Sequence, residues 1–199
     1  MNSLKKKRIK SVLKYTWPFY LLSALVLVPS IYFIFIITHR LPAYKTLTLF
    51  VSGDVIDNKK LEKDLLERYK DNSLKEVTTI SARPTENIYQ TKLSVAGYNT
   101  ADILIIPVSK LNDLEVYAFG LDLPDELINS YYAGYTFYEQ KDVHYGIKVD
   151  KEKTKEYFTL PNEDCYMIIN GNSQNIGEYS NKQIKEHDNA LRVVKDWGM

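Results

Sequence analysis

The sequence DILII at residues 102–106 decides the fold class, because its last four residues form a continuous apolar run. A run of this kind is typical of a strand that is covered on both faces of its sheet. Two stretches rich in strand-forming residues precede it, TLTLFV at 46–51 and KEVTTI at 75–80. We therefore expect residues 102–106 to form the central strand of a sheet that contains all three.

Helices are predicted between these strands. Asp57 follows a turn at 52–54 and can cap a helix through its carboxylate, after which apolar residues recur at helical spacing. These residues are Leu61, Leu65, Leu66 and Tyr69. A second, shorter helix is predicted at 87–95. An alternation of strand and helix is the pattern of a parallel sheet with right-handed crossovers, so we expect an α/β fold with a mostly parallel sheet flanked by helices.

The second half of the chain predicts further elements around the same sheet. In order, these are short helices at 109–114 and 125–131, a hairpin of strands 135–138 and 143–149, a polar connection at 151–161, a strand at 165–169, a turn at 170–173 and a final helix from Asn181 to about Trp197. His187 and Ile184 lie on the apolar face of that helix. His187 is therefore predicted to be a half-buried packing residue rather than a ligand.

Cys165 is the sole cysteine, so no intramolecular disulfide can form. Its neighbours in the sequence CYMII at 165–169 are typical of a strand. We therefore expect a buried apolar cysteine, the alternative being a catalytic thiol.

The N-terminal region predicts a membrane anchor. Residues 17–38 are 22 residues without a charge, and a helix of that length spans roughly 30 Å of hydrocarbon. Six basic residues precede this run and only Arg40 and Lys45 closely follow it, which places the N-terminus in the cytoplasm. A cleaved secretory signal is the alternative, but the residues after Thr38 offer no small-residue cleavage pattern. We therefore expect a cell-membrane protein with a cytoplasmic basic tail at 1–16, a single-pass transmembrane helix at 17–38, a linker at 39–45 and an extracytoplasmic domain at 46–199.

The net charge of +1 hides a division between these regions. Beyond Lys45 the chain has 18 basic and 25 acidic residues, so the predicted outer domain carries a net charge of −7. An acidic domain argues against nucleic acid as a partner, because phosphates need a positive surface. It also argues against binding of this domain to an anionic membrane surface.

Four stretches of the predicted domain, taken in order, resemble a known family. They are LTLFVSGD at 47–54, ADILIIP at 101–107, VHYGIKV at 143–149 and DCYMIINGNS at 164–173. Their order is similar to that in the extracytoplasmic solute-binding proteins that deliver sugars and oligopeptides to bacterial ABC importers. The resemblance implies a periplasmic-binding-protein-like lobe on a membrane anchor.

The resemblance extends to one lobe only. Members of the family usually have two lobes around a cleft, whereas only residues 150–164 separate the hinge-like strand from the returning strand here. A single lobe cannot close over a ligand, and closure buries most of a small molecule's surface in ordinary pockets. The sequence therefore argues against tight capture of a small solute.

If a ligand binds, the expected site is the carboxyl edge of the parallel strands, where helix N-termini and loop amides converge. Residues 82–83 also lie at that predicted edge, and Tyr145 belongs to a group of aromatic residues at 131–145 that could stack on a sugar. The candidate ligand residues are Ser52, Gly53, Asp54, Pro107, Ser109 and Tyr145. The alternative is that Gly53 and Asp54 form a simple strand-to-helix turn and that the aromatic group is core and sheet face.

Catalysis has little support in the sequence, which contains three histidines and no Gly-x-Ser-x-Gly, phosphate-binding loop or zinc-spaced pair. We expect no enzyme, no cofactor and no metal. Two functions stay open. One is a membrane-anchored binding module that recognises a solute or a partner such as an ABC transporter or another membrane protein. The other is a non-catalytic assembly or interaction subunit of a membrane protein complex that has lost solute binding.

Overall fold

The computed structural model describes residues 3–39, 41–70, 74–180 and 187–199, and of residues 3–15 and 37–39 it describes the backbone alone. The chain divides into two compact units, Met1–Leu41 and Pro42–Met199. The second unit is called the domain below.

The first unit contains the helix α1, Ser3–His39. Its segment Thr16–Ile36 is long and apolar enough to span a membrane, a property that membrane anchors and signal sequences share. The hydroxyls of Ser23 and Ser30 donate to the carbonyl oxygens of Phe19 and Val26, at 2.5 and 2.8 Å. The helix therefore satisfies these two hydroxyls within itself, as an apolar surrounding requires.

The domain is built on a six-stranded sheet in the order β3-β1-β4-β8-β6-β5. The strands are β1 (Thr46–Val51), β3 (Glu76–Ser81), β4 (Ile103–Pro107), β5 (Phe137–Gln140), β6 (Val143–Lys148) and β8 (Cys165–Ile169). A separate antiparallel pair joins β2 (Asp54–Val55) to β7 (Phe158–Thr159).

The sheet is mixed rather than purely parallel. Strands β3, β1 and β4 are parallel, as predicted, whereas β8, β6 and β5 each pair antiparallel to their neighbour. Four of the six strands consequently run in one direction. All five residues of β4 are buried, which confirms that the apolar run forms a central strand.

Helices cover both faces of this sheet. They are α2 (Asn58–Arg68), α3 (Tyr89–Lys92), α4 (Tyr98–Thr100), α5 (Val108–Leu111), α6 (Asp125–Tyr131), α7 (Lys151–Thr154) and α8 (Asn189–Trp197). A π-helical turn at Leu93–Gly97 joins α3 to α4, and 3-10 turns lie at Ala43–Lys45, Val116–Ala118 and Gly177–Tyr179. The predicted cap of α2 is confirmed, since the Asp57 carboxylate accepts the Lys60 N–H at 2.9 Å.

Alternate residues of the central strands enter two separate cores. Ile103 and Ile105 pack on one face with Trp197, whereas Leu104 and Ile168 pack on the other. Cys165 belongs to the first core and is 1% exposed, as predicted. Burial raises the pKa of its thiol to about 11.

Some boundaries differ from the sequence-based prediction. The polar connection at 151–161 contains α7 and β7, because its short elements are stabilised by tertiary contacts that leave no period in the sequence. The hairpin turns at Lys141 and Asp142, whose φ angles of 55° and 61° are typical of a tight two-residue turn. The final helix begins at Asn189, so His187 precedes this helix and does not lie on its apolar face as predicted. Residues 181–186, which include Ile184, lie outside the described residues. His187 is half-buried and stacks on Tyr44 with ring centroids 4.5 Å apart, as predicted for a packing residue.

Candidate functional site

The structure brings five of the six candidate residues to the carboxyl edge of the sheet. Strands β1 and β4 are parallel neighbours, so Ser52, Gly53 and Asp54 after β1 lie beside Pro107 and Ser109 at the end of β4. The Ser52 N–H donates to the Ile105 carbonyl at 2.9 Å, which fixes the first of these loops against the second strand.

Two of the five candidates, Ser52 and Asp54, form side-chain contacts with other residues of the domain. Ser52 is fully buried, and its hydroxyl lies 2.7 Å from the Tyr89 hydroxyl. Asp54 accepts from the Arg83 side chain, whose Nε lies 2.7 Å from Oδ1 and 3.0 Å from Oδ2. This hydrogen bond lowers the pKa of the Asp54 carboxyl. Arg83, which with Ala82 was also expected at this edge, is therefore the partner of Asp54.

The segment 158–164, here called the returning segment, covers the same edge. At Gly53 an added Cβ would lie 2.4 Å from the carbonyl oxygen of Thr159 and 3.4 Å from the Cα of Leu160. No side chain fits there, so glycine is required by the close approach of the two backbones. Pairing of β2 with β7 holds this approach in place.

The returning segment also forms hydrogen bonds with Ser109. The Glu163 carboxylate accepts the backbone N–H of Ser109 at 2.9 Å and its hydroxyl at 2.7 Å. The Lys151 ammonium donates to the carbonyl oxygens of Pro161 and Glu163 at 2.5 and 2.6 Å, which fixes the position of the returning segment. The carboxyl edge is thus filled by the chain itself, with a carboxylate on the serine that was expected to contact a ligand.

Tyr145, the sixth candidate, lies apart from the others. Gly146 and Leu104 pair with the same residue of β8, Ile168, so Tyr145 lies level with the start of β4. It is 7% exposed and packs in the second core. Burial and the nearby Asp122 carboxylate raise the pKa of its hydroxyl.

The aromatic group at 131–145 is mostly structural. Tyr132 is fully buried and its hydroxyl donates to the Leu191 carbonyl at 3.0 Å. The Tyr135 hydroxyl donates to the Lys195 carbonyl at 2.9 Å, and the Tyr138 ring packs at a tilt against Tyr166 with ring centroids 5.6 Å apart. These rings fix α6 and the hairpin to the rest of the domain.

The opposite, amino edge of the sheet holds a buried polar network that the sequence did not predict. At its centre is Asp102, which is 9% exposed. Its Oδ2 accepts the Thr48 N–H at 2.8 Å, and its Oδ1 accepts from the Ser173 hydroxyl at 2.5 Å and the Asn175 amide at 3.3 Å. Burial raises the pKa of this carboxyl, and the three donors oppose that effect.

Asparagine side chains extend the network to neighbouring elements. Asn175 donates to the Thr46 carbonyl at 2.8 Å and accepts from the Asn189 amide at 3.1 Å. Asn170 donates to the carbonyl oxygens of Tyr98 and Ala101, both at 2.9 Å. A cavity of about 150 Å³ beside the network is lined mainly by polar residues. The turn signal at 170–173 was visible in the sequence, but the burial of its polar side chains was not.

Comparisons with known proteins add no family to this geometry. No protein-family model matches the sequence, and neither a curated protein nor a solved structure matches it. The resemblance to solute-binding proteins therefore depends on the four stretches quoted above.

Proposed function

We propose that this chain is a membrane-anchored, extracytoplasmic binding module that recognises a protein partner and has no catalytic role. The observation that carries the proposal is the filled carboxyl edge. There the backbone of Thr159 approaches Gly53 closely, and the Glu163 carboxylate accepts hydrogen bonds from Ser109. A solute that reached this edge would have to displace the returning segment. The role is therefore closer to an assembly subunit than to a carrier of small molecules.

The apolar N-terminal helix and the basic residues before it support the proposed location. An apolar segment at Thr16–Ile36 is long enough to cross a membrane, and six basic residues precede it. If the helix is not cleaved, it keeps the domain at the extracytoplasmic surface of the cell membrane. Membrane proteins in the same bilayer, such as the permease of an ABC importer, are the class of partner that this arrangement favours.

The surface around the filled edge supports a protein partner. Ile56 follows β2 and is 57% exposed, and Ile88 precedes α3 and is 53% exposed. Ile56 lies in the connection between β1 and α2, and Ile88 lies in the connection between β3 and α3. The ion pair between Asp54 and Arg83 joins these two connections. We infer that these two isoleucines belong to the contact surface, because the fully buried core of a protein interface is more apolar than the rest of the surface.

Site-specific photo-cross-linking in native membranes tests this proposal. A benzophenone amino acid replaces Ile56 or Ile88 in the full chain, and Val95, which is 64% exposed on the π-helical turn, provides the control position. We expect a discrete adduct from the first two positions and none from Val95. Absence of adducts at both isoleucines would contradict the proposed function.

The second candidate function, recognition of a small solute, is favoured by the polar cavity beside Asp102. Its volume of about 150 Å³ is below the roughly 300 Å³ at which ligand pockets usually begin. Calorimetric binding that persists in Asp54→Ala and is lost in Thr100→Val, which changes the cavity lining, would favour this alternative.

A further inference from the structure

A second surface of the domain forms an open groove of about 630 Å³. It lies between the segment 121–124 with the start of α6, the hairpin turn at 141–142 and the 3-10 turn at Gly177–Tyr179. Three aspartates line it, and its apolar lining includes Leu121 and Val143. The groove is separate from both the carboxyl edge and the polar cavity at the amino edge.

The backbone fixes the position of the first aspartate. The Leu121 N–H donates to the Ile169 carbonyl at 2.7 Å, and the Leu123 N–H donates to the His144 carbonyl at 3.0 Å. The side chain of Asp122 is exposed, whereas that of its neighbour Leu123 is 4% exposed. The carboxylate of Asp122 is thereby held on the groove rather than in the core.

The other two aspartates are placed by short elements. Asp125 is the first residue of α6, and Asp142 occupies the hairpin turn with a φ angle of 61°. Within the part of the chain that the structure describes, Asp122, Asp125 and Asp142 form no ion pair with a lysine or arginine. Lys141, the neighbour of Asp142, instead lies over the Tyr117 ring with its Nζ 3.4 Å from the centroid.

Further acidic residues strengthen the negative field. Burial, Glu178 and Glu126 together raise the pKa of Tyr179, which lines the groove. Glu139 approaches the His144 ring, with its Oε1 3.1 Å from Nδ1. The groove therefore presents uncompensated negative charge next to apolar side chains.

We propose that this groove binds an extended, lysine- or arginine-bearing segment of a protein partner. Three separated carboxylates suit basic side chains spaced along a chain, and the apolar lining suits the aliphatic residues between them. Among the described residues no group of three or more histidine, cysteine, aspartate or glutamate side chains is arranged to hold a metal ion, so a peptide fits this charge better than a single cation. The site goes beyond the proposed function, which assigns the partner contact to the carboxyl edge.

Binding of a designed peptide tests the groove directly. The full chain in phosphatidylcholine nanodiscs is titrated against a fluorescein-labelled octapeptide of alternating lysine and leucine, with glutamate replacing lysine in the control peptide. The groove variant carries Asp122→Asn, Asp125→Asn and Asp142→Asn. The matched control variant carries Glu62→Gln, Glu67→Gln and Glu76→Gln, an equal change of charge near β3 at the other end of the sheet.

We expect the basic peptide to bind the wild-type chain at least about tenfold more tightly than the acidic peptide, with an affinity that falls as salt is added. The groove variant should lose about tenfold in affinity and the control variant less than about twofold. Equal binding by the two variants, or no binding of the basic peptide to the wild-type chain, would overturn the proposal. Tighter binding of free spermine than of the peptide would also overturn it, in favour of a small polycation. Cross-linking at Ile56 and Ile88 reports separately on the carboxyl edge, so the failure of one proposal is distinguishable from the failure of the other.

Discussion

The two edges of the sheet use polar residues in opposite ways. At the carboxyl edge the side chains of Asp54 and Arg83 form an ion pair while 47% and 61% exposed. At the amino edge Asp102 and Asn175 are 9% and 0% exposed and form a connected network. Exposed ion pairs contribute little to stability, whereas buried polar groups are costly when a partner is lost. The polar network at the amino edge is therefore expected to contribute more to stability than the ion pair between Asp54 and Arg83.

The largest effect that tests this comparison is expected for Asp102→Ala. Three donors, from Thr48, Ser173 and Asn175, would lose their acceptor in a buried site. We expect the free energy of unfolding to fall by about 3–5 kcal/mol, measured by urea denaturation of the full chain in detergent. Asp113→Ala, at an exposed aspartate, serves as the control and should change stability by less than about 0.5 kcal/mol. A similar loss in the two variants would mean that the buried network has no special role.

A smaller effect is expected for Gly53→Ala at the carboxyl edge. The new Cβ would lie 2.4 Å from the Thr159 carbonyl oxygen, so the returning segment must shift. We expect a loss of about 2 kcal/mol in unfolding free energy. Gly171→Ala is the matched control, because its nearest neighbour would lie at an ordinary 3.5 Å. Equal stability of the two variants would show that the returning segment does not close on Gly53.

Glu163→Gln removes the negative charge of the carboxylate that accepts hydrogen bonds from Ser109. A neutral amide oxygen can still accept one hydrogen bond, so the expected loss is only about 1 kcal/mol. Glu152→Gln, at a side chain that is 81% exposed, is the control and should have almost no effect in the same denaturation assay. Stability that is unchanged in Glu163→Gln would argue against the contact with Ser109.

The smallest effect concerns Cys165 in the first core. Burial raises the pKa of its thiol from 9.0 to about 11, so the neutral form is favoured by folding. The corresponding stability is complete below pH 9 and is lost as the pH rises through about 11. We expect iodoacetamide at pH 8 to leave the native thiol unmodified and to alkylate it after unfolding, as read by mass spectrometry. Rapid alkylation of the native chain would contradict the burial of this residue.

Hydrophobic patterns were sufficient to predict most of the fold. The apolar run in β4, the helical spacing in α2 and the Asp57 cap each depend on neighbouring residues, and the structure confirms all three. The antiparallel return through β8 and β6 could not be derived in this way. Strand direction is decided by contacts between distant parts of the chain, which leave no period in the sequence.

The sequence placed five of the six candidate residues together at one edge of the sheet, but it did not predict that Tyr145 lies elsewhere or that the returning segment covers that edge. The parallel strands placed Ser52 and Ser109 at one edge, as expected from the direction of these strands. No local signal in the sequence indicated that the Glu163 carboxylate would accept a hydrogen bond from Ser109, which lies 54 residues earlier. Asp102 was likewise missed, since an acidic residue before an apolar strand is indistinguishable from an exposed one until the segment 170–175 folds over it.

The central claim is that the chain itself fills the carboxyl edge, and a ligand panel tests it most directly. Thermal unfolding of the full chain in detergent is recorded with sugars, peptides and amino acids, each at high concentration. Binding at ~100 times the dissociation constant would add about 2.7 kcal/mol and raise the unfolding temperature by several degrees. We expect no shift with any of these solutes. A clear shift that disappears in Asp54→Ala would show that a solute reaches the edge and would contradict the account.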